Sequence, residues 1–115
     1  MTPTETDRVR HIRDAASAAL NFAQGKARSD LDSDAMLTFA LTRAVEIIGE
    51  AAAHLSQSIR DAHPEVPWGQ IIGMRNRLVH GYYDVDLDVL WATVTTDLTL
   101  LISVADTMLT PPGGP

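Results

Sequence analysis

The stretch 35-AMLTFALTRAVEIIGEAAAHL-55 decides the fold of this chain. Apolar residues recur in it at spacings of three and four, which predicts a long α-helix from Ala35 to about Ile59. The apolar face is too wide for a helix that lies on a protein surface, so we expect contacts with neighbours on more than one side. The residues of this face are Met36, Phe39, Ala40, Val45, Ile47, Ile48, Ala51, Ala52 and Leu55.

An amphipathic helix over about 6–24 is predicted before it. Thr4 or Thr6 can cap this first helix, and Gly25 should end it, because glycine favours the position after a helix C-terminus. The polar stretch from 26 to 32 is then predicted to be a loop, and Ser33 or Asp34 can cap the long second helix. The apolar stripe of the first helix is Val9, Ile12, Ala16, Ala19 and Ala23.

Two further helices are predicted in the second half of the chain. Pro67 suits the first turn of a shorter helix over about 68–80, which Gly81 should end. Asp84 or Asp86 can then cap a fourth helix, whose apolar residues follow the 3.6-residue period. These residues are Leu87, Leu90, Trp91, Val94, Leu98, Leu101, Ile102, Ala105 and Met108.

Length and composition favour one all-α domain. A chain of 115 residues fits one domain over 1–110, an antiparallel bundle of four to five helices, with a flexible tail at 111–115. The chain has no cysteine, which excludes disulfides and thiolate zinc sites. The N-terminus lacks the apolar stretch of a signal peptide, so a cytoplasmic protein is expected. The net charge of −6 argues against a broad nucleic-acid surface and requires any RNA site to be local.

The stretch 73-GMRNRLVHGYY-83 carries the candidate chemistry. On a helix Asn76 and His80 share a face, whereas Arg75 and His80 lie about 140° apart, which favours a site at a helix end or at a dimer seam. RNA cleavage without a metal needs a base, an acid and a cation for the phosphorane, and histidine and arginine supply these functions. The single histidine of this stretch, His80, is too few for separate acid and base, so two protomers facing each other would complete the set.

A structural role is the alternative for the same residues. A histidine before a glycine at a helix C-terminus is usually a cap or a cation that interacts with the helix dipole. Arg75 and Arg77 could be surface ion-pair partners, and Tyr82 and Tyr83 could pack at the turn. Residue types and spacing alone leave both interpretations open.

The segment from Arg75 to Tyr82 resembles the Arg-x4-His-x-Tyr signature of HepT toxins, which are small helical ribonucleases of the HEPN superfamily. The likeness extends over about residues 6–105. Further landmarks, in the family's order, are 43-RAVEIIGEAA-52, Pro67-Trp68, 72-IGMRN-76 and Val85-Asp86.

The resemblance implies a HEPN helical bundle whose homodimer lines one cleft with two motifs, and a metal-independent endoribonuclease activity without cofactors. It assigns Arg75 and His80 as the catalytic pair and Asn76 as the polar residue beside them. It also implies a toxin–antitoxin system in which an MntA-like nucleotidyltransferase antitoxin silences the toxin by adding AMP to Tyr82. Arg77 is a supporting candidate, although the motif gives neither it nor Tyr83 a role.

Two other functions remain to be weighed. Glu46, Glu50 and His54 could be interpreted as metal ligands, but di-iron bundles use Glu-x-x-His from two helices, and here the interval from Glu50 to His54 is four with no second pair. We expect Glu46 to pair with Arg43, or Glu50 to pair with a basic residue of the third helix. The hypothesis is that a buried acid of this kind, such as Glu50, orients Arg75. The alternative to an enzyme is a non-catalytic nucleotide-binding or accessory subunit of a nucleotidyltransferase.

Overall fold

The computed structural model describes residues 1–74 and 85–110. Those ranges contain seven α-helical segments, one π-helical segment and no β-strand. The all-α prediction is therefore confirmed. The α-helices are α1 (Pro3–Ala23), α2 (Asp30–Ser33), α3 (Ala35–Ala53), α4 (Gln57–Asp61), α5 (Trp68–Ile72), α6 (Leu87–Ala92) and α7 (Leu98–Leu109), with the π-helical segment at Thr93–Asp97 between the last two.

Helix α1 begins earlier than predicted. Thr2, and not Thr4 or Thr6, is its N-cap, because the Thr2 hydroxyl accepts from the Glu5 N–H while the Glu5 carboxylate accepts from the Thr2 N–H. This reciprocal pair is a capping box. The helix ends before Gly25, which has a φ of +74°, a value that glycine adopts without strain. The predicted stop at Gly25 is confirmed.

Helix α3 begins where expected and ends sooner. Of the two proposed caps, Asp34 is the one used, and its carboxylate accepts from the Leu37 N–H at 3.0 Å. The predicted extension to Ile59 is wrong. Ser56 caps a separate helix, α4, by accepting from the Ile59 N–H, and a serine that can cap competes with continuation of the preceding helix.

The apolar face of α3 is only partly buried. The prediction that Met36 and Phe39 belong to the packed face is wrong, because they are 83% and 71% exposed. Apolar periodicity cannot distinguish a side chain that contacts the protein's own core from one left at its surface. The side chains of α3 that are buried are Leu37, Leu41, Thr42, Ala44, Val45, Ile48, Ala51 and Ala52.

The last helical stretch contains a feature that the sequence pattern did not predict. Of the two caps proposed from the sequence, Asp86 is the N-cap of α6. Its carboxylate accepts from the Val89 N–H at 3.1 Å. After Ala92 the helix widens into the π-helical segment. There the hydroxyls of Thr93 and Thr95 each donate to the carbonyl four residues earlier, at 2.8 Å. Such side-chain bonds compete with the backbone ladder and accompany local irregularity in helices.

Helix α1 is central to the bundle and contacts both α3 and α7. The start of α1 lies beside the end of α3, since the Arg8 guanidinium donates to the His54 carbonyl, so these two helices run antiparallel. The continuous helix Leu87–Leu109 is, among the described residues, the one long and apolar enough to cross a membrane by length and composition. A core helix passes the same test, and this one packs its buried residues against α1.

Candidate active site

The residues predicted to carry the chemistry lie outside the described residues. Arg75, Asn76, Arg77, His80 and Tyr82 all fall within 75–84. Their mutual geometry, and the predicted stop at Gly81, therefore remain predictions. The structure does describe the two anchor points of this segment, the residue before it at 74 and the residue after it at 85, together with the helices that hold them.

The entry to the segment is held between α3 and the π-helical segment. Met74 is buried, and its Sδ lies 3.4 Å from the Thr93 hydroxyl oxygen. On the other side α5 approaches α3 closely, because a Cβ added at Gly49 would meet the Ile71 carbonyl oxygen at 3.0 Å. Glycine at this position thus permits close contact between the helices. The sequence signal for this contact was an isolated glycine inside an apolar helix.

The exit from the segment is fixed by a cap and an ion pair. Val85 packs on the core, and Asp86 caps α6 directly after it. Asp88, in the first turn of α6, accepts from the Arg28 Nε at 2.7 Å, and this bond raises the pKa of Arg28. The residues that flank 75–84 on both sides therefore belong to packed parts of the bundle.

A cavity of about 360 Å³ with a mixed polar and apolar lining lies beside Met74. It is lined by the π-helical segment on one side and by Gln70 of α5 on the other. π-Helical turns frequently occur at functional sites, where they redirect side chains within a helix. The π-helical side of this cavity was not predicted from the sequence, because threonines within an apolar helix do not by themselves indicate a π-helical turn. Its polar residues are Gln70, Asp88, Thr93, Thr96 and Asp97.

A second cavity, of about 210 Å³, lies between α3 and the end of α5. Glu46 and Glu50 line it together with Ile72, three residues before Arg75. The predicted pair of Arg43 with Glu46 is confirmed at 3.6 Å. The expectation that Glu50 is buried is wrong, because it lies on the outer face of α3 and is exposed. Whether Glu50 contacts Arg75 stays a prediction.

The described ranges, 1–74 and 85–110, contain no group of three or more histidines and acidic residues that could hold a metal ion. His54, which the sequence places four residues after Glu50, has its Nδ1 2.7 Å from the Glu50 backbone carbonyl oxygen. This contact with the backbone occupies one of the two ring nitrogens that a metal could use. The spacing of four residues between Glu50 and His54 thus brings the imidazole ring to a backbone carbonyl at the C-terminus of α3.

Several cations in the described part of the chain pair with nearby carboxylates. Arg10 pairs with Asp7, and Arg13 pairs with Asp14. Arg28 pairs with both an aspartate four residues later and one in α6. Paired surface cations contribute little net field for attracting phosphates. This local compensation agrees with the inference from net charge that any RNA contact must be concentrated in a small area.

Comparison with known proteins gives one consistent result. The family model "Ribonuclease HepT-like" matches residues 12–108. The chain is 36% identical over 101 residues to the "Probable ribonuclease HepT" of Thermococcus cleftensis, covering 88% of this chain and 92% of that protein. It is 35% identical over 88 residues to a candidate RNase of Caldanaerobacter subterraneus, covering 76% and 79%, respectively. No solved structure gives a significant match.

Proposed function

Because the chain belongs to the HepT-like ribonuclease family and has an all-α HEPN-type fold, we propose that it is the metal-independent endoribonuclease toxin of a cytoplasmic toxin–antitoxin system. One observation carries the proposal. The family match over residues 12–108 includes Arg75 and His80 at the spacing of the Arg-x4-His signature, followed by Tyr82.

The reaction follows from the chemistry of these side chains. His80 of one protomer takes the proton of a ribose 2′-hydroxyl, and the resulting oxygen attacks the adjacent phosphorus. Arg75 stabilises the charge of the phosphorane with its planar guanidinium, and Asn76 and Arg77 support it. The bond from phosphorus to the 5′-oxygen breaks, and the second protomer's histidine protonates that oxygen. The products are a 2′,3′-cyclic phosphate and a free 5′-hydroxyl.

The proposed control of the toxin is a modification of Tyr82. A nucleotidyltransferase antitoxin of the MntA type transfers AMP from ATP to the phenolic oxygen, with release of pyrophosphate. The new phosphodiester adds negative charge beside the cations that would hold the RNA phosphate, and so opposes substrate binding. Mass spectrometry after co-expression should find AMP on Tyr82. Modification confined to Tyr83 would contradict this assignment.

The ribonuclease proposal is tested with purified protein and RNA in EDTA. We expect cleavage with 2′,3′-cyclic phosphate ends in EDTA, and a loss of about 100-fold or more in His80→Ala and in Arg75→Ala, the range for removal of a general acid–base or of an electrostatic stabiliser. Intact RNA with unmodified dimeric protein would contradict the proposal. It would instead support an accessory subunit of a nucleotidyltransferase.

A further inference from the structure

Another cavity, of about 340 Å³, lies between α1 and α3 and is lined by basic side chains. Arg8 and His11 come from α1, and Arg43 and His54 come from the other helix and its C-cap. Glu50 is the acidic residue of the described lining. Two arginines and one carboxylate give the cavity a net positive formal charge before either histidine is counted, in a chain whose net charge is −6. A local excess of positive charge attracts anions.

Arg8 differs from its neighbours on α1 because it has no acidic partner among the described residues. Its guanidinium donates to the His54 backbone carbonyl at 3.3 Å. Arg10 and Arg13 of the same helix are each paired with an aspartate. A bond to a neutral carbonyl leaves the charge of the half-buried Arg8 uncompensated, and most of its five N–H donors remain free for an anion.

The other cations of the cavity also have free donors. The side chain of Arg43 is 63% exposed and pairs with Glu46 through one long contact of 3.6 Å. His11 is exposed and forms no hydrogen bond with any residue in 1–74 or 85–110. His54 differs, because its Nδ1 lies 2.7 Å from a backbone carbonyl oxygen. Arg8, Arg43 and His11 therefore supply the free donors.

These cations are spread along the cavity. The start of α1 lies beside the end of α3, so Arg8 is next to His54, and His11 is one turn closer to the start of α3. Arg43 lies eleven residues before His54, and eleven residues correspond to about 16 Å along a helix. One phosphate group is too small to fill this separation, whereas successive phosphates of one nucleic-acid strand can contact both ends. The spacing therefore favours a strand over a free nucleotide.

We propose that the cavity between α1 and α3 binds the backbone of an RNA strand, an inference that rests on the proposed function and extends its substrate site. Arg8 and Arg43 contact separate phosphates, and His11 donates between them. Contacts of this kind hold the strand in place without reading its bases. They also meet the requirement, set by the acidic net charge, that RNA contacts be local.

A neighbouring cavity connects this surface to α5. Glu50 and His54 line both cavities, and Ile72 of α5 lines the second. A strand that follows the cations of the first cavity toward α5 therefore passes the carboxylate of Glu50. This carboxylate repels a bound phosphate, so removal of its charge should strengthen binding.

The test measures binding to an RNA that cannot be cleaved, so it does not depend on activity. A labelled 2′-O-methyl oligonucleotide lacks the attacking hydroxyl, and its fluorescence anisotropy is followed over a series of salt concentrations. We expect Arg8→Gln and Arg43→Gln each to reduce the magnitude of the slope of log K against log salt by about 0.7, with an affinity about fivefold lower at about 0.1 M salt. The losses should add in the double variant. Glu50→Gln should bind more tightly than wild type.

Two variants of α1 serve as controls. Arg10→Gln removes the same charge from an exposed arginine that Asp7 already compensates, and it should bind like wild type. Arg8→Lys keeps the charge and should retain the slope. Light scattering and circular dichroism should give the same mass and helicity for all variants.

Three results would overturn the proposal. The first is binding by Arg8→Gln and Arg43→Gln equal to that of wild type. The second is a loss of binding that Arg10→Gln shares or that accompanies a change in mass. The third is binding of ATP that depends on Arg8 without binding of the oligonucleotide, which would assign the cavity to a free nucleotide.

Cleavage assays separate this site from the ribonuclease hypothesis. If the slopes change as expected but ordinary RNA stays intact in EDTA, the binding site stands and only the proposed activity is rejected. If wild type cleaves RNA while Arg8→Gln and Arg43→Gln bind and cleave as it does, the activity stands and this site is rejected.

Discussion

Both faces of α3 carry large apolar side chains in the first half of the helix, but their surroundings differ. On the inner face Leu41 and Ile48 are 0% and 2% exposed and pack with α1. On the outer face Met36 and Phe39 are among the most exposed large side chains of the described chain. The inner face stabilises one copy, whereas the outer face is uncovered in the part of the chain that the structure describes. Apolar residues of one helix therefore have different surroundings on its two faces.

The inner face should give the strongest effect on stability. Leu41→Ala should lower the free energy of unfolding by about 2–5 kcal/mol, because it removes buried methyl groups and leaves a cavity in a fully packed site. Phe39→Ala, which removes more atoms from the outer face, should change the stability of the monomer by less than about 0.5 kcal/mol. Urea denaturation at a concentration that keeps both proteins monomeric measures the difference. Similar losses for both variants would abolish the distinction between the faces.

A smaller effect is expected on the side of α3 that meets α5. Gly49→Ala places a Cβ about 3.0 Å from the Ile71 carbonyl oxygen, so α5 must shift. Overpacking of this kind should destabilise by about 1–3 kcal/mol and lower RNA cleavage, because α5 leads into residues 75–84. Gly69→Ala is the matched control, since a Cβ there meets nothing within 4 Å. Thermal unfolding of the two variants tests the contact, and equal behaviour would show that Gly49 is not needed for it.

At the start of α3 a single hydrogen bond distinguishes two neighbouring residues. Asp34→Ala should cost about 1 kcal/mol, because the Leu37 N–H loses its acceptor. Ser33→Ala is the control, since Ser33 was an equally good cap by sequence and is not the N-cap of α3 in the structure. Denaturation midpoints of the two variants distinguish them. A larger loss in Ser33→Ala would mean that the cap is assigned to the wrong residue.

The weakest effect is expected where α1 begins, beside the end of α3. The bond from the Thr2 backbone N–H to Glu5 lowers the pKa of Glu5 from its ordinary value of 4.5, with a further contribution from Ser56. A carboxyl whose folded-state pKa is lowered contributes stability above its unfolded pKa and loses it as the pH falls through the folded pKa. Glu5→Gln should therefore be slightly less stable than wild type at neutral pH and should match it in acid. Asp7→Asn on the same helix is the control, and a difference for Glu5→Gln that persisted unchanged in strong acid would contradict the assigned cause.

The positions of the long helices were predicted from the sequence better than their irregularities and the exposure of their side chains. Gly25, Asp34, Asp86 and the apolar period located α1, α3 and the last helix, because caps and periodicity are local properties. The break at Ser56 and the π-helical segment were missed, since both arise where hydroxyl groups compete with the backbone ladder. Exposure of Phe39 could not be predicted, because it depends on what packs across from the helix.

For the candidate site too, local sequence features were predicted and tertiary contacts were not. The motif from Arg75 to Tyr82 was assigned through its resemblance to the family signature, since spacing alone left a structural role open. The family match spans these residues, and their roles stay predictions. The residues that pack next to this segment were not predicted. Gly49, Met74 and Thr93 come from three separate segments that meet only through tertiary packing, and no local pattern marks them as neighbours. The pairing of Arg43 with Glu46 was predicted correctly, whereas the exposure of the acid four residues later was not.

Metal-independent cleavage of RNA by the motif is tested most directly by incubating RNA in EDTA with wild type, with His80→Ala and with Arg75→Ala. We predict that wild type leaves 2′,3′-cyclic phosphate ends and that each variant loses about 100-fold or more of the activity. Intact RNA with unmodified wild type, or full activity in either variant, would contradict the proposed site.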